Sequence, residues 1–182
     1  KVQCLACNRY CVIQPGDTGV CAVRKNDNGV LRLIVYGKVI GPGPSPIEKK
    51  PMHHFLPSTM TYSLATIGCN FLCKFCQNWD ISQCAQQIKE AGGNYCGKIT
   101  KYGYAMTPQD VVQNAIRNHC PVIAYTYNEP TVFIEYALDT ARLAHQKGIK
   151  NVLVTNGYES KETIDAMVGL IDGMNIDLKG FT

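Results

Sequence analysis

Residues 68–78 read Gly-Cys-Asn-Phe-Leu-Cys-Lys-Phe-Cys-Gln-Asn and place Cys69, Cys73 and Cys76 at a C-x3-C-x2-C spacing. The stretch directly follows a mainly apolar run at residues 62–67. Three thiolates can hold three irons of a [4Fe-4S] cluster and leave the fourth iron open to a small molecule. Structural zinc favours four ligands in paired knuckles, and no fourth ligand lies near these cysteines in the sequence. The spacing therefore predicts a cluster with an open iron rather than a zinc or disulfide site.

A second group of cysteines lies near the N-terminus. Its spacing, C-x2-C-x3-C-x9-C, can ligate zinc or a closed [4Fe-4S] cluster, and the spacing alone does not choose between them. A small module has little core of its own, so a metal would substitute for one. Free thiols or a redox-active disulfide are the alternative. We predict a second metal site, separate from the first, at Cys4, Cys7, Cys11 and Cys21.

The cysteine usage also indicates the compartment. Ten cysteines is a high count for 182 residues. Clustered spacings and the lack of a visible signal peptide favour metal binding in a reducing cytoplasm over disulfides. The isolated Cys84, Cys96 and Cys120 are interpreted as ordinary thiols, and His53 and His54 as surface or packing residues.

Charge and hydropathy exclude two classes of partner at this stage. The net charge of +4 is carried without a basic run, so nucleic-acid binding is not indicated. No apolar run is long enough to cross a membrane as a helix. We therefore expect neither a nucleic-acid-binding nor a membrane protein.

Two domains are predicted from changes in composition. Residues 1–58 form the cysteine-rich module, in which Asn-Asp-Asn-Gly at 26–29 predicts the turn of a β-hairpin. Gly-Pro-Gly-Pro-Ser-Pro at 41–46 interrupts regular structure and is interpreted as a linker. Residues 59–182 form the main domain.

The main domain alternates strand and helix patterns. A β-α-β-α-β-α-β order predicts an α/β fold with a parallel sheet, whose ligands bind at the carboxyl ends of the strands. Residues 77–106 are interpreted mainly as a long loop with a short helix at 82–91. The third helix is predicted to bury Ile164, Met167, Val168 and Ile171. Strands are predicted at residues 60–67, 121–127, 151–155 and 174–178, and helices from Thr107 to about 118, at 131–147 and after Ser160.

Each predicted strand ends in polar residues. The first is followed by the three cysteines, the second by Thr-Tyr-Asn-Glu-Pro at 126–130, the third by Thr-Asn-Gly-Tyr at 155–158 and the fourth by Asp-Leu-Lys-Gly at 177–180. Any one of these could be a cap or a loop. Because parallel strands end at the same edge of a sheet, four together indicate a site.

The cysteine motif, with the aromatic Phe75 before its third cysteine, resembles the signature of the radical S-adenosylmethionine (SAM) family. Gly-Asp-Thr-Gly-Val-Cys, Pro-Ile-Glu-Lys-Lys-Pro, Tyr-Thr-Tyr-Asn-Glu-Pro-Thr and Asn-Ile-Asp-Leu-Lys-Gly look like motifs of the radical SAM enzyme of the AmmeMemoRadiSam system. That group is related to the pyruvate formate-lyase activating enzyme. The resemblance implies reductive cleavage of SAM on a [4Fe-4S] cluster. The resulting 5′-deoxyadenosyl radical would abstract hydrogen from a substrate that the resemblance does not identify.

The resemblance also implies a partial (β/α) barrel of the radical SAM type. Residues 59–182 would be the N-terminal part of this barrel, truncated after four strands. The last strand would then have an unpaired apolar edge, which favours aggregation. On this basis we expect a fragment, or a product that needs the missing half from elsewhere.

The resemblance assigns roles to individual residues. Cys69, Cys73 and Cys76 would ligate the cluster, and Phe75 would lie against the adenine. Glu129 would accept a hydrogen bond from the SAM ammonium group. The implied SAM-binding residues are Phe75, Asn128, Glu129, Thr155, Asn156, Asp177 and Lys179.

Partners and alternatives follow from the same resemblance. An electron donor such as ferredoxin or flavodoxin is implied, and a protein substrate stays open. One alternative is an activase that acts on a glycine of a glycyl-radical enzyme. The other is a non-catalytic iron–sulfur or zinc scaffold that binds partners.

Overall fold

The computed structural model describes residues 1–180 as a mixed α/β protein. Short 3-10 helices lie at Ile47–Lys49 and Pro130–Phe133. The α-helices are α1 (Trp79–Ser82), α2 (Cys84–Glu90), α3 (Tyr95–Ile99), α4 (Pro108–Arg117), α5 (Ile134–His145) and α6 (Lys161–Met167). The strands are β1 (Val2–Gln3), β2 (Val12–Ile13), β3 (Arg24–Asp27), β4 (Val30–Leu33), β5 (Lys38–Pro46), β6 (Met60–Ala65), β7 (Tyr104–Ala105), β8 (Val122–Tyr125), β9 (Lys150–Thr155) and β10 (Gly173–Ile176).

The central sheet has six strands in the order β10-β9-β8-β6-β5-β7. Strands β6, β8, β9 and β10 lie side by side in the sheet in the same order in which they occur along the chain. Each pairs in parallel with the next, as predicted from the sequence. Their carboxyl ends therefore lie along one edge of the sheet. This edge is called the rim below.

The linker prediction for residues 41–46 is wrong. These residues form the second half of β5, which pairs antiparallel with β6 and is irregular between Ile40 and Gly43. Within residues 1–180, β7 pairs only with Lys38 and Val39, so the rest of β5 forms the edge of the sheet. Proline is tolerated on an edge strand because its missing N–H is not needed there.

The two faces of the sheet are covered differently. Ile123 and Tyr125 of β8 belong to the large core cluster that also contains the buried residues of α4 and α5. The alternate residues, Val122 and Ala124, pack in a smaller cluster with Ile47. This alternation is the period-two pattern of a strand with both faces buried.

Helix α4 begins as predicted. The Asp110 N–H donates to the Thr107 hydroxyl oxygen at 3.2 Å, and the Thr107 N–H donates to the Asp110 carboxylate at 2.8 Å. This capping box satisfies two donors that a helix start otherwise leaves free.

The buried face predicted for the third helix is partly wrong. Met167 is buried, but Ile164 is 51% exposed and Val168 is 77% exposed. The helix α6 ends at Met167, and Val168 is already in a non-helical conformation. The helical period therefore does not extend to Val168, whereas Ile171 is partly buried against the core.

The polar stretch 77–106 is more ordered than predicted. It contains α1, α2, α3 and β7, and Ala85 and Ile99 are fully buried. The predicted short helix corresponds to α2. The few apolar residues of residues 77–106 are enough to hold this stretch in place, because its helices are short and pack against the main core.

Two hairpins form in the N-terminal region. The predicted hairpin pairs β3 with β4 and turns at Asn28 and Gly29, both with positive φ. The second, β1 with β2, was not predicted from the sequence. The division into two domains near residue 58 stays a prediction. In residues 1–180 we find no helix with the length and apolarity needed to span a membrane.

Candidate functional site

The cysteine loop, residues 68–78, leaves the rim directly after β6. Cys69, Cys73 and Cys76 are all partly exposed. In the side-chain conformations of residues 1–180, no group of three His, Cys, Asp or Glu residues has the geometry to hold a metal ion. The thiols must therefore turn toward a common centre when they bind one.

Donors near the sulfurs suit a cluster. The Phe71 N–H donates to Cys69 Sγ at 3.4 Å, and Ser82 Oγ lies 3.1 Å from Cys76 Sγ. Hydrogen bonds to ligating sulfurs are among the features that tune iron–sulfur clusters. The residues present therefore fit a [4Fe-4S] cluster.

Helix α2 and its N-cap residue, Gln83, hold the backbone of the cysteine loop. The Gln83 side chain donates to the Cys73 carbonyl at 3.0 Å, and the Gln86 side chain donates to the Cys69 carbonyl at 2.8 Å. Both bonds use the carbonyls and leave the sulfurs free. The short helix predicted at 82–91 thus supports the site.

Burial changes the acidity of the first cysteine. Desolvation raises the pKa of Cys69 to about 12, and the nearby charges of Glu129, Cys73 and Cys76 act in the same direction. Without a metal this thiol stays protonated at neutral pH. Metal binding must therefore release the proton of the Cys69 thiol.

We expect Gly68→Ala to weaken the cysteine loop. Gly68 has φ +92°, and a Cβ there would lie 2.7 Å from Val23 Cγ1 and 2.8 Å from the Cys21 carbonyl oxygen. Gly29→Ala is the control, because Gly29 has φ +96° with no atom within 4 Å of that Cβ. Both variants carry the backbone strain, and only the first adds overpacking of about 1–3 kcal/mol.

The measurements for this pair are thermal unfolding and iron content after anaerobic reconstitution. Gly68→Ala should lose more stability than Gly29→Ala and should bind less iron. Equal losses of stability in the two variants would contradict the close approach at Gly68.

The Glu129 carboxylate connects the ends of β8 and β9 at the rim. Its Oε1 accepts from the Thr131 N–H at 3.0 Å, from the Thr131 hydroxyl at 2.6 Å and from the Thr155 hydroxyl at 2.8 Å. Its Oε2 accepts from the Asn156 N–H at 2.8 Å. Oε1 is saturated, whereas Oε2 has one further lone pair for a ligand.

Burial dominates the charge state of this carboxylate. Glu129 is 3% exposed. Desolvation raises the pKa of Glu129, and the nearby charge of Glu159 adds to this rise, while the bonds from Thr131 and Asn156 oppose it. The Thr155 hydroxyl lies within hydrogen-bond distance of both carboxylates, and its single hydrogen can serve only one of them at a time. A cationic ligand group near Oε2 would favour the ionised form.

Asn128, predicted to bind SAM, ties two strand ends together. Its side-chain amide donates to the Thr66 hydroxyl at 3.1 Å and to the Gly68 carbonyl at 2.8 Å, and its Oδ1 accepts from the Thr66 N–H at 3.1 Å. The residue is 6% exposed. In this arrangement Asn128 positions the base of the cysteine loop.

Asn156 links the end of β9 to the cysteine loop. Its Nδ2 donates to Asn70 Oδ1 at 2.7 Å, and its Oδ1 accepts from the Tyr158 N–H at 3.1 Å. Asn70 is 1% exposed, and its own Nδ2 has no partner among the described residues. Sequence reasoning did not identify Asn70, although it directly follows Cys69.

The remaining predicted residues lie at the solvent side of the rim. Phe75 is 70% exposed. Lys179 pairs with Asp177 at 2.9 Å. Partial burial lowers the pKa of Lys179, but the pair with Asp177 outweighs it, and the charges of Cys73 and Cys76 act in the same direction. Lys179 therefore lies close to the cysteine loop.

Lys50 and Tyr127 form a pair that sequence reasoning missed. Lys50 is 2% exposed, and its Nζ lies 4.4 Å from the centre of the Tyr127 ring. Burial lowers the pKa of Lys50. The Tyr127 carbonyl accepts from Asn78, at the end of the cysteine loop, at 2.9 Å. The only sequence signal was the Pro-Ile-Glu-Lys-Lys-Pro motif that contains this lysine.

The four N-terminal cysteines come together behind the cysteine loop. Cys4, Cys7, Cys11 and Cys21 all line one small cavity, and Asn70 also lines it. Asn70, which directly follows Cys69 in the cysteine loop, therefore lies next to the N-terminal cysteines as well.

Comparison with known proteins gives a match over the cysteine loop and the rim. A family model described as the Radical SAM superfamily matches residues 64–182, which contain the cysteine loop and the rim. An uncharacterized protein of Methanocaldococcus jannaschii is 46% identical over 181 residues, which are 99% of this chain and 50% of that protein. The chain therefore spans about half the length of this curated relative.

Proposed function

The chain belongs to the Radical SAM superfamily, and from this premise we propose that Cys69, Cys73 and Cys76 hold its [4Fe-4S] cluster. The cofactors of such an enzyme are that cluster and SAM. When bound and reduced, the cluster supplies an electron that cleaves SAM to a 5′-deoxyadenosyl radical, which abstracts hydrogen from a substrate. The observation that carries the assignment is the position of buried Glu129 beside the cysteine loop at the rim.

The residues of the rim would bind and orient SAM. Glu129 Oε2, with one lone pair free, would accept from the SAM ammonium group. Lys179 and Asp177 would approach SAM from the end of β10. Phe75 is exposed and available to cover the adenine. Thr155 and Asn156 would act through Glu129, because both donate to it.

We further propose the partial (β/α) barrel as the complete architecture. Four adjacent parallel strands in chain order are the arrangement from which such a barrel is built. The motifs quoted from the sequence support a relation to the AmmeMemoRadiSam enzyme and to the pyruvate formate-lyase activating enzyme. A reductant such as ferredoxin or flavodoxin in the cytoplasm would complete the system.

The proposal is tested by anaerobic reconstitution, reduction and an assay for 5′-deoxyadenosine, with candidate partners added. Formation of 5′-deoxyadenosine in a cluster-dependent manner is expected. A radical signal at a glycine of a partner protein would favour the activase alternative. Failure of reduced, fully loaded protein to cleave SAM would favour a scaffold and contradict the proposal.

A further inference from the structure

We propose that Cys4, Cys7, Cys11 and Cys21 bind one zinc ion. This ion would hold the N-terminal loop, residues 4–11, against the cysteine loop. The spacing alone does not choose between zinc and a second cluster at these positions, and free thiols or a disulfide are the alternative. The structure supplies the position of the four thiols, the size of the space between them and the groups that surround it.

The backbone brings the four cysteines to one place. Cys4 follows β1 and Cys11 precedes β2, and the Cys4 N–H donates to the Cys11 carbonyl at 2.9 Å. Cys7 lies in the loop between them, where the Tyr10 N–H closes a turn on its carbonyl at 3.0 Å. Cys21 enters from the following segment. All four line the same cavity, whereas a random placement would scatter them.

The space between the four thiols is small and favours a single ion. Its volume is about 10 Å³, which admits at most one water molecule. A zinc ion needs only four thiolates at about 2.3 Å around one atom. A [4Fe-4S] cluster would instead place eight atoms between the thiolates and needs a larger space.

One buried donor suits the negative charge of a zinc tetrathiolate. Asn70 lines the cavity, is 1% exposed and has an Nδ2 without a partner among the described residues. Arg24 also lines it and is 3% exposed, but its guanidinium already donates to the Val132 carbonyl at 3.1 Å and to Glu135 at 2.8 Å. A donor such as Asn70 Nδ2, which lies beyond the ligands, can orient and stabilise a metal site.

No three ligand groups of residues 1–180 stand in metal-binding geometry yet, so the thiols must rotate. This holds equally for the cysteine loop, whose cluster is a cofactor of the superfamily. Three of the four N-terminal cysteines, Cys4, Cys7 and Cys21, are buried. Four buried or partly buried thiols that form no disulfide are typical ligands of a closed structural zinc site.

The zinc ion would hold a loop that supports the radical SAM site. The Arg9 Nε donates to the Asn70 carbonyl at 3.1 Å, and its guanidinium lies 5.7 Å from the centre of the Phe71 ring. The Asn8 side chain donates to the Glu159 carbonyl at 2.9 Å. Cys7 and Arg9 are two residues apart on this loop. Ligation of Cys7 would therefore restrain the contacts that Asn8 makes with Glu159 and that Arg9 makes with Asn70.

The test is metal analysis of anaerobically purified protein, by zinc, iron and sulfide content per chain. We expect about one zinc per chain in the wild-type protein and its loss in Cys11→Ser. Cys96→Ser is the matched control, because Cys96 is also partly exposed but lies on α3, and it should keep the zinc. Combined replacement of Cys69, Cys73 and Cys76 by Ala should remove the iron and keep the zinc.

Each contrary result overturns the proposal. Zinc that persists in Cys11→Ser, or that disappears with the triple Ala variant, would assign the ion elsewhere. Extra iron and sulfide that are lost in Cys11→Ser would identify a second cluster. If Cys11→Ser does not fold, wild-type protein loaded with Co²⁺ in place of zinc decides, since four thiolates give intense tetrahedral cobalt bands. Absence of those bands would end the idea. Because metal content is the readout, these results do not depend on SAM cleavage.

Discussion

Cys73→Ala is expected to abolish SAM cleavage while the protein keeps its fold. A cluster held by three thiolates has no spare ligand, so removal of one protein ligand leaves two irons without protein coordination. The side chain is partly exposed, and among the described residues its sulfur has no hydrogen-bond partner. The buried core of the sheet is aliphatic and aromatic and does not include it.

The measurements are 5′-deoxyadenosine yield, iron content and thermal unfolding after the same anaerobic treatment. Cys96→Ala is the control for loss of a partly exposed thiol at another place and should retain full activity. Wild-type yield of 5′-deoxyadenosine in Cys73→Ala would refute the assignment of the cluster to this loop.

Glu129→Gln is expected to weaken SAM binding about tenfold to a hundredfold. The loss corresponds to a charge-assisted hydrogen bond of roughly 1.5–3 kcal/mol between the carboxylate and an ammonium group. Gln also brings an NH2 group to a position where every neighbour donates, from Thr131, Thr155 and Asn156. One buried donor is then left without an acceptor, which costs about 1–3 kcal/mol of stability.

Thr131→Val separates these two effects. It removes the hydroxyl donor to Glu129 but keeps the carboxylate and nearly the same volume. We expect it to lower the unfolding temperature while SAM affinity falls less than in Glu129→Gln. Binding is measured by titration of the reconstituted protein at equal cluster content. Unchanged SAM affinity in Glu129→Gln would mean that Oε2 does not face SAM.

The features that could be predicted from the sequence are those with a local signal. The spacing of Cys69, Cys73 and Cys76 is local, and so is the capping box of Thr107 and Asp110. The four parallel strands are apolar runs between helical patterns. Each of these can be inferred without knowledge of what the segment touches.

The features that were missed depend on contacts between distant segments. The prolines of β5 indicate a loop unless it is known that β7 pairs only with Lys38 and Val39, which leaves the proline-containing part of β5 at the edge of the sheet. Asn128 lies in a motif associated with SAM, yet its amide is used by Thr66 and Gly68. Lys50 lies in the Pro-Ile-Glu-Lys-Lys-Pro motif and Asn70 directly follows Cys69, but neither position indicates a buried side chain, and their importance follows from burial and contacts in the structure.

The docking of the N-terminal loop has a consequence for the order of folding. The Thr163 hydroxyl donates to the Ala6 carbonyl at 2.8 Å across 157 positions of sequence, and Asn8 reaches Glu159 across 151. During synthesis the N-terminal loop is made long before its partners leave the ribosome. Contacts of such long range form late, because the intervening chain must first be closed into a loop. The contacts that hold the N-terminal loop against the rest of the protein therefore cannot form until the segment after β9 has been made.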